Sequence, residues 1–375
     1  MNGIARRSEI TSETVRAVHR PARFRCRMRM RRSRPERSLL EMSHRIGHWG
    51  KRGWGAISAL VLSIVLLAGC ATGGGGGEEA PAPTRTVAHD LGASAVPDKP
   101  QRIVALEFPY VDMLASLRVT PVGAVDDGDP ENLIPEVRNR IGKWESVGSR
   151  SEPNLEQIAR LKPDLIIADN ERHAGIYHEL SAIAPTVVFT ARYAGYEETL
   201  DVARKVGDAI NKPAEMNAEI TRLNGRLDEF ARTAPQGGGR DALAVIPRDH
   251  GTAQVLGEGS YVAEILRRVR VTYAPEAAAY PENSDSSSVG LEGLAQINPA
   301  VLFVMTDAKT TTKDWEAAPV WQNLSAVAAG DVHSVNRALW TRSRGLVSME
   351  LIAEEATRLL YERAPANAGQ PQQPN

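Results

Sequence analysis

Residues 155–165 have the sequence LEQIARLKPDL, and residues 291–301 have the sequence LEGLAQINPAV. In each stretch, apolar residues at helical spacing lead up to a proline, which ends a helix, and an apolar run typical of a buried strand follows. The two copies start 136 residues apart, whereas the units of solenoid proteins repeat about every 20–50 residues. The repeat therefore predicts two similar lobes.

Short apolar segments alternate with amphipathic segments on both sides of this repeat. Such alternation predicts an α/β protein, in which helices cover the faces of the sheets. The predicted strands are residues 102–106, 121–125, 165–168 and 186–189 in the first lobe and residues 242–246, 301–305 and 332–335 in the second.

One long helix is predicted between the lobes. It starts at Pro213, since proline is favoured at the first helical position, and apolar residues then recur every three or four positions as far as Phe230. About 20 residues at 1.5 Å each span about 30 Å, the width of a small domain. We expect an N-terminal lobe at 87–211, the inter-lobe helix at 212–233 and a C-terminal lobe at 240–363.

The segment before the first lobe is typical of an exported lipoprotein. Basic residues after Met42 precede the apolar run 54–69, which is short for a membrane span of about 20 residues but suits a signal peptide. The run ends in Leu-Ala-Gly-Cys, which resembles the lipobox of bacterial lipoproteins. We expect a signal peptide at 42–69 and lipid attachment at Cys70, with a signal anchor and an incidental cysteine as the alternative.

The remaining flanks are predicted to lie outside the folded protein. Residues 1–41 are rich in arginine, which is compatible with a nucleic-acid-binding arm or a targeting segment, but we interpret them as a non-native extension upstream of the true start. Residues 70–86 contain five consecutive glycines and are predicted to be the lipid anchor and a flexible linker. Residues 364–375 are predicted to be a disordered tail.

The charge pattern argues against nucleic acid as a partner. The part of the chain after residue 69 holds 30 basic and 42 acidic residues, whereas nucleic-acid binding needs basic patches. Common catalytic motifs such as Gly-x-Ser-x-Gly, a Walker loop or His-Glu-x-x-His are also missing, and the serines of 284–288 are interpreted as a loop that caps the next helix. We expect a monomer that is not an enzyme, with a lipoprotein hydrolase or a ligand-free scaffold as alternatives.

The chain resembles the siderophore- and cobalamin-binding proteins of ABC importers. The features that carry this resemblance are the two lobes, the long helix, LEQI at 155–158 and KPDLII at 162–167. Within that family, RIVALEF at 102–108 and ADNERHAGIY at 168–177 resemble ferric-citrate-binding lipoproteins, as do PVG at 121–123 and DDGD at 126–129. The resemblance implies a helical-backbone periplasmic-binding-protein fold that binds a ferric chelate, with ferric citrate favoured. We expect modest closure, because one stiff helix hinges less freely than paired strands. Another siderophore, haem or cobalamin is the alternative ligand.

The resemblance also implies the partners. In this family one acidic residue at the tip of each lobe docks onto arginines of the permease, which works with an ATPase, and the matching residues are Glu156 and Glu292. Helix chemistry is the alternative explanation, because an acid in the first turn favours the helix dipole and Asn154 and Gln157 can form a capping box. The implied location is the extracytoplasmic face of the cytoplasmic membrane, in the cell envelope.

The ligand is expected in the cleft between the lobes, at loops that follow strand ends. An anionic citrate chelate requires arginine forks, although any single arginine could equally be a solvated surface residue and a lone aromatic could be a packing residue. No cofactor and no direct iron ligand are expected, since no cluster of two histidines and a carboxylate is apparent. The candidate ligand-binding residues are Arg172, His173, Arg192, Tyr193, Arg248, Trp340, Arg342, Arg344, Tyr110 and Trp144.

Overall fold

The structure is a computed structural model that describes residues 83–235, 240–275, 286–308 and 310–361. The predicted extension 1–41, signal peptide 42–69, lipid-attachment residue Cys70 and tail 364–375 lie outside these residues. Strand β1 (Thr84–His89) begins within the predicted linker 70–86 and pairs antiparallel with β2 (Gly92–Pro97). This hairpin is absent from the sequence prediction.

The N-terminal lobe is built on a five-stranded sheet in which each neighbouring pair is parallel, in the order β5-β4-β3-β6-β7. Its strands are β3 (Ile103–Ala105), β4 (Gly123–Ala124), β5 (Glu145–Ser146), β6 (Leu165–Asp169) and β7 (Thr186–Phe189). Its helices are α1 (Phe108–Ser116), α2 (Pro135–Ile141), α3 (Leu155–Arg160), α4 (Asn170–His173), α5 (Tyr177–Ile183) and α6 (Tyr196–Ala209).

The apolar runs explain the central strands of this sheet. Every residue of β3, β6 and β7 is buried, as expected for parallel strands with helices on both faces. The four strands predicted for this lobe are confirmed with small changes of length. Strand β5 has two residues, too few for a detectable apolar pattern.

The C-terminal lobe has a second five-stranded sheet, in the order β10-β9-β8-β11-β12. Strands β8, β11 and β12 are parallel, whereas β9 is antiparallel to β8 and β10. The strands are β8 (Ala242–Arg248), β9 (Thr252–Leu256), β10 (Ser286–Gly290), β11 (Val301–Thr306) and β12 (Val332–Asn336). The helices are α8 (Tyr261–Arg268), α9 (Leu291–Ile297), α10 (Lys313–Glu316), α11 (Pro319–Gln322), α12 (Ser325–Ala328) and α13 (Leu346–Tyr361), with a π-helical turn at Ala338–Ser343.

The serine-rich segment before α9 differs from the prediction. Ser286–Gly290 forms the edge strand β10, and the residue at the N-cap of α9 is Gly290, which has no side chain to cap the helix. An edge strand tolerates polar residues because one of its sides faces solvent, so the segment carries no apolar signal.

The sequence repeat is also a structural repeat. Helix α3 leads into β6, which lies between β3 and β7, and α9 leads into β11, which lies between β8 and β12. Asn154 caps α3 by accepting a hydrogen bond of 2.9 Å from the Gln157 N–H. A capping box also requires the Gln157 side chain to accept from the Asn154 N–H. Here that N–H donates instead to the Val147 carbonyl at 2.8 Å.

The long helix α7 (Pro213–Thr233) joins the two lobes and buries its apolar stripe. It packs against α6 of the N-terminal lobe and against α13 of the C-terminal lobe, and α1 also packs against α13. Two ion pairs fix α7 to the second lobe, Arg222 to Glu350 at 2.6 Å and Asp228 to Arg268 at 2.7 Å. The predicted α/β fold, with two similar lobes and one long helix, is confirmed. In the described part of the chain, no helix is both long and apolar enough to span a bilayer.

Candidate functional site

A cavity of about 220 Å³ lies between the lobes and is strongly basic. Among the described residues that line it, seven are arginines and one is acidic, Glu107. Both lobes contribute. The arginines are Arg150, Arg172 and Arg192 from the N-terminal lobe and Arg248, Arg337, Arg342 and Arg344 from the C-terminal lobe.

The sheet topology brings these arginines together. Arg172 follows β6 and Arg192 follows β7, while Arg248 is the last residue of β8 and Arg337 follows β12. The carboxyl ends of neighbouring parallel strands lie at one edge of a sheet, which is where open α/β sheets bind ligands. The predicted residues Arg172, Arg192, Tyr193, Arg248, Trp340, Arg342 and Arg344 all line the cavity.

Aromatic rings support three of the guanidinium groups. The Arg150 guanidinium carbon lies 4.2 Å from the Phe108 ring centre, that of Arg192 lies 4.6 Å from the Tyr193 ring centre, and that of Arg344 lies 5.5 Å from the Tyr261 ring centre. Stacking uses the face of a guanidinium and leaves its N–H edge available for an oxyanion.

Two residues of the cavity have unusual backbone conformations. Tyr193 has a φ of 116° and Arg344 a φ of 48°, both in the region that non-glycine residues rarely adopt. The Tyr193 side chain is also exposed. Such conformations concentrate at functional sites, where surrounding structure holds them in place.

Two aspartates, one from each lobe, hold arginines of the cavity. Asp127 Oδ2 accepts from Arg150 Nε at 2.9 Å and from Nη2 at 2.6 Å. Asp307 Oδ2 lies 3.2 Å from Nη atoms of both Arg337 and Arg342. These ion pairs orient the arginines and partly balance their charge.

The pKa shifts reflect a crowded positive site. Burial, with the nearby Arg248, lowers the pKa of Arg337, and burial, with the nearby Arg337, lowers the pKa of Arg342. Burial alone would raise the pKa of Asp127, but its hydrogen bonds with Arg150 and the charges of Arg150 and Arg172 together outweigh that effect and lower the pKa. The site therefore favours an anionic ligand.

Two hydrogen bonds cross the cleft beside the cavity. Arg342 Nη1 donates to Asn132 Oδ1 at 2.5 Å, and Arg344 Nη2 donates to the Ala194 carbonyl at 3.1 Å. Arginines of the C-terminal lobe thus already touch the N-terminal lobe in this conformation.

His173 does not line the cavity but supports it. Its side chain is buried, Nδ1 accepts from the Asp169 N–H at 2.9 Å, and Nε2 lies 2.9 Å from the Arg150 carbonyl. Since Nδ1 accepts, the proton must be on Nε2, which then donates to Arg150. The structure thus places the predicted ligand-binding residue His173 behind the cavity, where it contacts the backbone of Arg150.

Asp169 completes this support. Its carboxylate is buried and accepts from the backbone N–H groups of Arg172 at 3.2 Å and Ala191 at 3.0 Å. Asp169 and His173 together therefore fix the backbone at or beside three arginines of the N-terminal lobe, Arg150, Arg172 and Arg192.

Two predicted aromatic residues lie away from the cavity. Tyr110 is fully buried on α1, where its hydroxyl donates to the Phe189 carbonyl at 2.7 Å. Trp144 is partly buried and packs against the hydrophobic core. Trp340 does line the cavity, with its ring against Phe303 and its Nε1 donating to Glu355 at 2.7 Å.

The sequence prediction omits Arg150, Arg337, Glu107 and Gln254, which also line the cavity. Arg337 lies two residues after the predicted strand 332–335. Selection of arginines that follow strand ends, which found the others, could therefore also have found Arg337. Arg150 follows β5, whose two residues give no strand signal.

The repeated glutamates do not line the cavity and are accessible. Glu156 is the second residue of α3 and Glu292 the second residue of α9, and both side chains are exposed. Both have the position in the first turn that the helix dipole favours.

Comparisons with known proteins agree with this architecture. Residues 103–337 match the family model described as periplasmic binding protein. The chain is 34% identical over 312 residues to the Fe(3+)-citrate-binding protein YfmC of Bacillus subtilis, covering 82% of this chain and 96% of the relative. It is 36% identical over 281 residues to the Fe(3+) dicitrate-binding periplasmic protein FecB of Escherichia coli, covering 74% and 91%.

A solved structure gives the same result for the fold. Staphylococcus aureus SirA complexed with staphyloferrin B superposes with a TM-score of 0.65 at 25% identity, over 74% of this chain and 98% of that chain. Given the two lobes, the long helix and the matched residues, this chain belongs to the periplasmic binding protein family.

Proposed function

We propose that this protein captures ferric citrate outside the cytoplasm and delivers it to an ABC permease. The observation that carries the proposal is the convergence of seven arginines on one cavity between the lobes. Citrate carboxylates are planar oxyanions that match guanidinium forks. In this arrangement the arginines bind citrate, and citrate itself ligates the iron. The names of the relatives YfmC and FecB support this choice of chelate.

The form of the cavity supports a small, polar ligand. Its volume of about 220 Å³ lies below the roughly 300–1,000 Å³ typical of pockets for drug-sized ligands. Among the described lining residues, the aliphatic ones are Ile246, Leu256 and Val262, beside Pro109 and three aromatic residues, and charged groups outnumber the aliphatic ones. Haem and cobalamin are much larger ligands and fit a cavity of this volume poorly.

The test is a titration that follows intrinsic tryptophan fluorescence, since Trp340 lines the cavity. Ferric citrate, a ferric trihydroxamate, a ferric triscatecholate and haem are added separately to the protein at equal iron concentration. We expect saturable quenching by ferric citrate at the lowest concentration. A preference for haem or the trihydroxamate would overturn the proposal.

Delivery requires docking, for which Glu156 and Glu292 are the proposed contacts. Their equivalent places in the two lobes and their exposure support this role. A lipid anchor at Cys70 would keep the protein near the permease, and the ATPase of that transporter would supply the energy. Because α7 packs against both lobes and the pairs Arg222–Glu350 and Asp228–Arg268 fix it to the C-terminal lobe, we expect only modest closure.

A hydrolase is the competing functional class. The cavity contains the hydroxyls of Ser260 and Thr341, but the Ser260 oxygen accepts from the Ala263 N–H as a helix cap, and His173 is held outside the cavity. We therefore propose a binding protein that leaves its ligand chemically unchanged. Turnover of ferric citrate under conditions of saturating binding would argue for an enzyme.

A further inference from the structure

Glu107 is the single acidic residue among the described residues that line the arginine cavity. It is the N-cap residue of α1, yet its side chain makes no capping hydrogen bond. Instead its Oε1 atom lies 2.5 Å from Nε of Arg172, an ion pair without the alignment of a hydrogen bond. The residue is 4% exposed, so its carboxyl has little access to water.

This position creates a conflict when an anion arrives. A polycarboxylate that binds the arginines also comes close to the Glu107 carboxylate, and like charges repel strongly where water is excluded. Replacing the ion pair with a protonated carboxyl removes the repulsion. The carboxyl then gains an O–H, which can donate to a ligand oxygen.

We propose that Glu107 takes up a proton when the anionic chelate binds, and that it thereby makes capture proton-linked. The proposal rests on the proposed function, since it requires an anion in the cavity. No bond other than O–H is formed, and the proton comes from solvent.

The surroundings of Glu107 place this titration near neutral pH. Burial raises the pKa of Glu107, while Arg172 and Arg150 lower it and Asp169 and Asp127 raise it, with a net value of about 7. These four groups face the carboxyl from α4, from the loop after β5, from β6 and from the loop after β4. A bound anion adds negative charge and raises the pKa further.

The sign of the effect follows by linkage. Because the bound state holds the proton more tightly than the free state, affinity falls as the pH rises above about 7. When one proton is taken up on binding, the affinity changes by at most about tenfold per pH unit. At pH 7, Glu107 is protonated in about half of the free protein molecules, so binding takes up about half a proton per protein. The number of protons taken up approaches one at pH 8.

The experiment is calorimetric titration of the protein with ferric citrate at a fixed excess of citrate, at pH 7 and pH 8. Buffers with different ionisation enthalpies give the number of protons taken up. The wild type is compared with Glu107→Gln, which cannot titrate, and with Glu107→Asp, which can. Proton changes of ferric citrate itself are common to all three proteins and cancel in the comparison.

We expect Glu107→Gln to take up fewer protons than the wild type by about half a proton at pH 7 and by nearly one at pH 8, and Glu107→Asp to restore the uptake. Glu107→Gln should also bind about tenfold more tightly than the wild type at pH 8.5, which a merely structural role would not produce. Equal proton numbers in the wild type and Glu107→Gln overturn the inference while leaving the proposed function intact.

Two further outcomes remain decisive. If ferric citrate gives no binding heat with the wild type, both the proposed function and this inference fail. If Glu107→Gln does not fold, Glu107→Ala, which cannot titrate either, takes its place, and a proton number equal to that of the wild type contradicts proton uptake.

Discussion

Asp112 of the N-terminal lobe is joined to Ser348 of the C-terminal lobe by a buried hydrogen bond of 3.0 Å from the Ser348 N–H to Oδ2. Its other oxygen accepts from the Val347 N–H at 2.8 Å. Both donors lie in the first turn of α13, so a carboxylate on α1 caps a helix of the other lobe. This contact holds the arginine-bearing segment before α13 against the N-terminal lobe.

Gly345→Ala should destabilise the protein at this contact. A Cβ at Gly345 would collide with the Asp112 side chain, and overpacking of this kind costs about 1–3 kcal/mol. Chemical denaturation measures the loss. The control is Gly225→Ala on α7, where a Cβ meets no atom within 4 Å, and alanine should stabilise the helix by about 0.5–1 kcal/mol. Equal effects of the two substitutions would contradict the close packing.

Stability should depend on pH through Asp112. Burial raises the pKa of Asp112 to about 6, above its value in the unfolded chain, so its contribution is full below about pH 4 and is lost as the pH rises through 6. We expect the unfolding free energy of the wild type minus that of Asp112→Asn to increase by up to about 3 kcal/mol from pH 7 to pH 4. Denaturant titrations at several pH values test this, and a constant difference would refute it.

His173→Ala should weaken both the fold and the site. It leaves the Asp169 N–H and the Arg150 carbonyl without their buried partner, at about 1–3 kcal/mol for each group. His178→Ala, at an exposed position five residues away, is the matched control and should leave the unfolding free energy nearly unchanged.

The same histidine gives a second pH effect of opposite sign. Burial lowers the pKa of His173, so its contribution to stability is present above about pH 6.5 and is lost as the pH falls through the lowered pKa. The loss caused by His173→Ala should accordingly shrink in acid, and a loss that grows in acid would show that the tautomer assignment is wrong.

Arg248→Gln should reduce ferric citrate affinity with little effect on folding. Arg248 is exposed, and its guanidinium is hydrogen-bonded to Gln254 rather than to an acid. Loss of one charge-assisted hydrogen bond is worth about 1.5–3 kcal/mol, a roughly 10- to 150-fold weaker Kd. Arg232→Gln, at an exposed position on α7, serves as the control, and equal affinities for the two variants would remove Arg248 from the site.

Charge reversal of Glu156 and Glu292 should separate delivery from capture. Glu156→Arg with Glu292→Arg is expected to abolish iron uptake in cells while ferric citrate binding in vitro stays within about twofold, since neither residue lines the cavity. Glu136→Arg is the control, because Glu136 is also an exposed acid in the first turn of a helix. Normal uptake by the double variant would exclude these residues as docking contacts.

The elements that could be predicted are those with a strong local signal. Strands β6 and β11 follow a proline stop and are apolar except for their last residue, and α7 has a regular apolar stripe. The β1–β2 hairpin, the interior strand β9 and the edge strand β10 lack such a signal, because the propensity of a strand depends on the neighbours it packs against as much as on its own residues.

The arginines could be predicted because topology determines where the ends of parallel strands meet. Side-chain direction could not. His173 and Arg172 are adjacent in sequence, yet Arg172 lines the cavity while His173 points to the backbone of Arg150, a contact across 23 residues. The role of Glu107 depends on its burial beside Arg172, which no local pattern reveals.

The arginine cavity sits in a protein whose part after residue 69 carries 42 acidic and 30 basic residues. An anion that approaches the outer surface meets the field of a net negative body, which reaches about one Debye length, about 8 Å, into the solvent. Within the cleft it meets seven arginines at low dielectric. Attraction is thus confined to ligands small enough to enter, so that long anionic polymers such as nucleic acids and acidic polysaccharides are repelled before they reach the arginines.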